Sequence, residues 1–365
     1  MQQIDAPTLL IDKTKVIANI ERMVAKANEN DVLLRPHFKT HQSAEIGAWF
    51  RQRGIKAITV SSLKMAQYFA QNGWDDITLA ILVNQRQYES INRLAARVQL
   101  NLLVDNATTA VSLSQHLTNH VNVWIKVDAG YGRTGLPWTE QTNIHATAQA
   151  IVNASSLTLK GILTHAGNTY ATPGAAAIKA AYDQTVIRLN TVRMYLAERG
   201  VKTAVSIGDT PGCSVANDFA GVDEIRPGNF VFYDLVQQQL GACGFADIAV
   251  GVACPVIAKD AARKRIILYG GAVHLSKDVM LVDGGACYGR VAHLTSTGWN
   301  QPYTASKLIS LSQEHGIILA EDSLFEAVKV GDLLLVLPVH SCLTVDLYPA
   351  YTTFTGKQIT KMRTN

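Results

Sequence analysis

Between Val32 and Phe232 the chain alternates eight short apolar, β-branched runs with segments of helical period, and this alternation restricts the available folds more than any other feature. The runs are VLLRPH (32–37), AITVSS (57–62), ITLAIL (77–82), NLLVDN (101–106), VNVWIKVD (121–128), LKGILTH (159–165), AVSIG (204–208) and EIRPGNFVF (224–232). Ser43–Gln52, Leu63–Gln71 and Ala175–Glu198 carry the helical period between them, and the last ends beside Gly200, the residue type that closes helices. Eight β/α units in about 220 residues is the arithmetic of a (β/α)8 barrel. A doubly wound open sheet gives a similar alternation; the count favours the barrel. Beyond about Leu240 the pattern changes. GVACPVIAKD, KRIILYGGA, DVMLVDGG, GIILA and GDLLLVLP are short apolar runs punctuated by Gly, Asp and Pro, the grammar of a mainly antiparallel β domain. The expected organisation is therefore α/β: a barrel over 13–240 and a β domain over 241–365, joined by a strand-like opening segment, 1–12.

Composition narrows the partners. With 365 residues, 48% hydrophobic and 17% charged, the chain is too apolar for disorder. Its 33 Lys+Arg against 29 Asp+Glu leave +4, without a basic run interleaved with aromatics, so no nucleic acid is expected. No window approaches 18 consecutive apolar residues and no basic leader opens the chain, so no membrane span or signal peptide is expected. Five cysteines without a CxxC pair do not make a disulfide framework, which points to a reducing, cytoplasmic compartment.

Chemistry in such a barrel gathers where strands end, and these ends are polar. The first runs into Arg35, His37, Lys39 and His41; the fifth ends at Asp128 and continues to Arg133; the sixth ends at His165, followed by Gly167, Asn168 and Tyr170. Lys39 reads either as a solvated loop lysine or as a Schiff-base lysine whose amine is activated by desolvation and neighbouring cations. His37 and His41 read less well as an i,i+4 metal pair, because Pro36 places them at a strand exit. Arg133 reads as an ion-pair partner of Asp128 or as a cofactor-binding residue. His165 reads as a core histidine or as a group stacking on a flat cofactor. The turns SIGDTPGCS and RPGN follow the last two strands; backbone N–H groups at Gly208, Gly228 and Asn229, with the Ser206 and Thr210 hydroxyls, suit a phosphate. In PVHSCLTVD (338–346), His340 and Cys342 would face one side of an extended segment, and a thiolate with an imidazole favours zinc.

Together DAPTLLID, RPHFKTHQ, SSLKMAQ, KVDAGYGRTG, THAGNTY, SIGDTP, EIRPGN and PVHSC resemble the D-serine dehydratase/D-threonine aldolase group, pyridoxal-phosphate enzymes of the alanine racemase fold type. The resemblance spans nearly the whole chain. It implies that Lys39 binds pyridoxal phosphate covalently, that His165 stacks on its ring, that Tyr170 contacts the ring nitrogen and that Thr210, Gly228 and Asn229 hold its phosphate. Members with His-x-Cys use zinc as dehydratases and members with His-x-Asp take manganese or similar ions as aldolases, so His340 and Cys342 imply a zinc-dependent dehydratase. The substrate would be D-serine or a related D-3-hydroxy amino acid such as D-threo-3-hydroxyaspartate, and the assembly a homodimer. Retro-aldol cleavage is the nearest rival. A racemase needs a second base that the sequence does not identify, and a non-catalytic pyridoxal-phosphate carrier would not need the β domain.

Overall fold

The computed structural model describes residues 4–362. The chain divides into two compact units, one from Glu21 to Gly228 and one formed by the N-terminal residues up to Ile20 together with the residues from Asn229 on.

The first unit is the barrel. Its eight strands follow one another around the sheet as Leu33–Leu34, Ala57–Val60, Asp76–Leu82, Gln99–Val104, Val121–Asp128, Leu157–Thr164, Ala204–Ile207 and Glu224–Ile225. Each ladder between neighbours is parallel. Strands buried on both faces need no polar alternation, which is why Ala57–Val60 is wholly buried and Val121–Asp128 nearly so. The helices Ala44–Arg51, Leu63–Gln71, Tyr88–Ala95, Ala107–His116, Gln141–Val152 and Ala175–Ala197 fill the connections. Their starts follow from side-chain caps: Ser62 Oγ accepts from the Met65 N–H and Asn106 Oδ1 from the Thr109 N–H.

The first and last strands are shorter than their apolar runs, because Pro36 and Pro227 lack the N–H a ladder requires. The last strand closes on the first through Glu224↔Leu33 and Ile225↔Leu34. On its other side the first strand meets the second only through the bridge His37↔Thr59, with Thr59 N–H donating to Pro36 O at 2.9 Å and Phe38 N–H to Thr59 O at 2.8 Å. Arg35 reinforces this seam from inside. Its Nε donates to Glu224 Oε2 at 2.6 Å and its Nη1 to Asp76 Oδ1 at 2.6 Å, and Asn101 Nδ2 also reaches Asp76 at 2.8 Å. Just beyond the bridge, Phe38 is fully buried, with its ring 5.1 Å from Phe50, 5.0 Å from Phe69 and 5.1 Å from Trp74.

The second unit is built from antiparallel strands. Arg265–Tyr269, His315–Leu319, Lys307–Leu311, Gly289–His293, Leu333–Pro338 and Val250–Asp260 pair in that order, and Val250–Asp260 also pairs with Arg265–Tyr269, which closes them into a second, smaller barrel. Thr8–Ile11 lies antiparallel to Val250–Asp260 and parallel to Ala350–Thr353. The sequence segment PVHSCLTVD is not extended throughout. The strand ends at Pro338, His340 is the extended N-cap residue, and Ser341–Asp346 form a short helix.

Removing Arg35 strands two carboxylates at the barrel seam. Arg35→Met is expected to destabilise the fold by about 3–5 kcal/mol, the scale for a buried charge that has lost its partner. The double variant Arg35→Met/Glu224→Gln should recover part of that loss in urea unfolding; equal loss in both would show that the guanidinium is not there for charge.

Candidate functional site

The residues singled out from the sequence gather in two clusters, one on each unit.

In the barrel, Lys39 occupies an exposed turn immediately after the bridging residue His37, raised above the buried ring of Phe38. The Lys39 N–H donates to His37 Nδ1 at 3.3 Å. Burial, with Lys39, Arg226, His165 and His41 nearby, pushes the His37 pKa far down, so the imidazole is neutral. His41 is fully buried against Phe38, with ring centroids 4.3 Å apart, and its Nδ1 accepts from the Ser43 N–H at 3.1 Å. It is a core histidine, which removes the i,i+4 metal-pair reading.

His165 follows the strand Leu157–Thr164, and its Nδ1 donates to Gly208 O at 2.6 Å. That carbonyl fixes the Nδ1–H tautomer. Burial and the cations Arg133, Lys39 and Lys126 bring its pKa down to about 3, against the pull of the Gly208 bond. The ring is therefore uncharged and apolar on its faces, as stacking on a flat heterocycle requires. Tyr131 meets it edge-on at a centroid distance of 5.6 Å, and its ring also lies against Gly167, where an added Cβ would be 2.4 Å away and would push the tyrosine aside. Asp128 does not pair with Arg133. Its carboxylate accepts N–H bonds from Gly130 at 2.9 Å, Tyr131 at 2.8 Å and Gly132 at 2.9 Å, while the Arg133 guanidinium lies over the Tyr131 ring at 5.5 Å.

Tyr170, Thr210 and Gly228 converge. Tyr170 Oη accepts from the Thr210 N–H at 3.3 Å, and Thr210 Oγ1 accepts from the Gly228 N–H at 3.3 Å. Both bonds are long for their type, so these N–H and hydroxyl groups exchange partners cheaply. Asp209 caps the short helix that follows, accepting from the Gly212 N–H at 2.5 Å and Thr169 Oγ1 at 2.9 Å; burial raises its pKa to about 6. At Gly208 an added Cβ would lie 3.0 Å from Arg226, so its place is a close backbone approach.

Ser206 is elsewhere. Its hydroxyl points into the barrel interior, donates to Glu224 Oε1 at 2.6 Å and receives Arg226 Nη1, because the residue sits mid-strand rather than in the turn. The Ser206 hydroxyl is thus engaged by Glu224 and Arg226 rather than by the turn that begins at Gly208.

Two cations stand out here. Arg226 Nη2 donates to Thr164 O at 2.6 Å. Lys126, inside the fifth strand, is driven down to about 7 by burial, Arg226 and Arg133. Lys39, Lys126, Arg133 and Arg226 thus share one region in which each discourages protonation of a neighbour. Such an excess of positive charge suits a dianionic phosphate, and with the uncharged His165 and the exposed Lys39 amine the donor set fits pyridoxal phosphate.

The second cluster belongs to the other unit. His340 and Cys342 interact through their side chains across the first turn of the helix Ser341–Asp346, so helix capping brings them together rather than strand alternation. Burial opposes charge on His340, but Cys342, Asp234 and Asp278 outweigh it and raise its pKa to about 9. Asn229, whose backbone N–H is expected at the phosphate, turns its side chain to this cluster: Nδ2 donates to Asp234 Oδ2 at 2.6 Å and Ser341 Oγ at 2.9 Å and lies 3.7 Å from Cys342 Sγ. The short 3-10 turn Asn229–Val231, where the sequence suggested a continuing strand, redirects it. Among the described residues no group of three or more His, Cys, Asp or Glu side chains is arranged around a metal position. An imidazole and a thiol side by side, with the buried Asn229 Oδ1 lacking a partner, fit a metal that keeps open coordination positions for water or substrate.

Asp234 went unnoticed in the sequence, where an aspartate before LVQQQL reads as a helix cap. Lys126 was hidden inside an apolar strand run, with no local sign that two arginines distant in sequence would approach it.

The neutral His165 carries a pH signature. The unfolded chain protonates this histidine near 6.5 while the folded chain holds it neutral to about 3, so it withdraws stability as pH falls through that interval. Comparing wild type with His165→Asn isolates it from Asp209, whose raised pKa acts in the opposite sense. The stability advantage of wild type over the variant, from urea midpoints, should shrink between pH 7 and pH 5; an unchanged difference would show that His165 titrates normally.

The comparisons with known proteins agree with this layout. The domain described as the N-terminal domain of alanine racemase matches residues 11–235, and a serine dehydratase domain matches residues 249–354. D-threo-3-hydroxyaspartate dehydratase of Delftia sp. (strain HT23) is 30% identical over 95% of this chain and 93% of its own. D-serine dehydratase of Dictyostelium discoideum is 27% identical over 96% of this chain and 93% of its own. Among solved structures, a cysteine-to-alanine variant of D-threo-3-hydroxyaspartate dehydratase in the metal-free form superimposes with a TM-score of 0.92 at 29% identity, covering 99% of this chain and 98% of the other. The chain belongs to the family that places a serine dehydratase domain behind the N-terminal domain of the alanine racemase fold.

Proposed function

We propose that the chain is a pyridoxal-phosphate- and zinc-dependent dehydratase of D-serine or a closely related D-3-hydroxy amino acid such as D-threo-3-hydroxyaspartate. The imidazole–thiol pair His340–Cys342 carries this reading, because a racemase has no use for a metal site and dehydration of a β-hydroxy amino acid does. The relatives that match over nearly the whole chain bear dehydratase names.

Lys39 is the residue proposed to hold the cofactor and, once substrate displaces it, to take the Cα proton with its free ε-amine. Pyridoxal phosphate, when bound, supplies the electron sink for that carbon. His165, held neutral and fixed in one tautomer by Gly208 O, is proposed to lie against the ring, where a charged imidazolium would be poorly tolerated. Tyr170 is proposed to meet the ring nitrogen, Arg133 to bind the cofactor, and Thr210, Gly208 and Gly228 to offer hydroxyl and N–H groups to the phosphate, with the backbone N–H of Asn229 beside them.

His340 and Cys342 would hold zinc, whose chemistry at that place is Lewis-acid stabilisation of a departing β-hydroxide. Loss of the Cα proton and the β-hydroxide, together one water, gives an enamine; its imine tautomer takes up one water and releases ammonia and a 2-oxo acid, pyruvate in the case of D-serine.

A homodimer and a cytoplasmic setting complete the proposal; no disulfide forms among the described residues, and no helix among them is long and apolar enough to cross a membrane. A monomeric mass in light scattering contradicts the dimer.

Two variants test the chemistry. Lys39→Ala should lose at least about a thousandfold in ammonia release, the scale for a proton-transfer group that also carries the cofactor. Cys342→Ala should retain bound cofactor but lose most turnover and its response to added zinc. Full turnover in Lys39→Ala, or unchanged metal-dependent turnover in Cys342→Ala, would overturn the assignment.

A further inference from the structure

Asp234 is fully buried, and a buried carboxylate persists only where its oxygens are engaged. Capping the helix Leu235–Leu240 uses one of them: Oδ1 accepts from the Gln237 N–H at 3.0 Å. Oδ2 is shared between Asn229 and the segment that carries the metal pair. It accepts from the Ser341 N–H at 3.0 Å, from Ser341 Oγ at 3.3 Å and from Asn229 Nδ2 at 2.6 Å, and it lies 3.7 Å from His340 Nδ1. Ser341 stands between the two ligands in sequence, so anchoring both its N–H and its hydroxyl fixes the backbone on which His340 and Cys342 are carried.

Asn229 extends the arrangement to sulfur. Its Nδ2 must face Asp234, since two acceptor oxygens would otherwise meet, and the same amide lies 3.7 Å from Cys342 Sγ. A carboxylate beside one ligand and an amide donor beside the other are hydrogen-bonded to each other, so neither can shift alone.

We infer that Asp234 and Asn229 form a buried positioning pair that sets the orientation of both proposed metal ligands. Asp234 holds the Nδ1 edge of His340 and leaves Nε2 to the metal, and the Asn229 amide, whose two N–H groups are shared among Asp234, Ser341 and Cys342, lies against the Cys342 sulfur. The inference rests on the reading of His340 and Cys342 as metal ligands. Carboxylate partners of metal-bound histidines commonly contribute ten- to hundredfold to affinity.

The test is titration of the chelator-stripped holoenzyme with Co2+, reading both affinity and the thiolate-to-cobalt absorption band. Asp234→Asn keeps a capping side chain and should fold, because Asn and Asp cap helices equally well. It should bind Co2+ about ten- to hundredfold more weakly. Asn229→Ala should shift the position of the thiolate band, a change that loss of folding stability alone does not produce. Wild-type affinity together with an unchanged band in both variants overturns the positioning pair. If wild type and Cys342→Ala bind Co2+ alike and neither shows the band, it is the metal-ligand reading itself that fails.

Discussion

A parallel eight-stranded sheet becomes a barrel only when its last strand finds its first, and in this chain the strands at that seam are two residues long, with the His37 N–H still donating to Pro227 O at 2.9 Å beyond them. Pro36 and Pro227 end the flanking strands early, since neither can donate to a ladder. What the seam lacks in ladder it regains in charge: Arg35 reaches Glu224 beside it and Asp76 two strands along. The early ending is also what frees the chain. Directly after the single bridge at His37 it turns outward, and the turn presents Lys39 while Phe38 plugs the core below.

Electrostatics divides the two clusters. In the barrel four cations crowd together, and the histidines among them are neutral because burial and like charge act in the same direction. That field is unfavourable on its own and becomes favourable around an anion, which is the ordinary logic of a phosphate-binding cofactor site. Around His340 the signs reverse: carboxylates and a thiol favour positive charge, the environment a divalent metal ion also prefers. One chain thus carries one region whose charges favour an anion and another whose charges favour a cation.

The sequence discloses the eight strands because parallel strands covered on both faces must be apolar throughout, and all eight appear in the expected order. Strand ends are another matter. EIRPGNFVF reads as one run, yet only Glu224–Ile225 pair, and a 3-10 turn, Asn229–Val231, replaces the continuing strand and turns the Asn229 side chain towards Asp234. Ser206 lies two residues before Gly208, inside the strand, and belongs to a buried triad with Glu224 and Arg226. His340 and Cys342 were visible as a spacing, but the mechanism of their approach was not. Whether a segment is extended or helical at its cap depends on the partner that accepts its first N–H, and here that partner is Asp234, more than a hundred residues earlier. No local pattern carries such information.

The most direct measurement is 2-oxo acid release by the purified wild-type protein from D-serine and from D-threo-3-hydroxyaspartate, made as isolated, after chelation and after zinc is restored. The account predicts product from at least one of the two, lost on chelation and recovered with zinc. Product that persists undiminished without metal, or glycine and an aldehyde in place of a 2-oxo acid and ammonia, would contradict it.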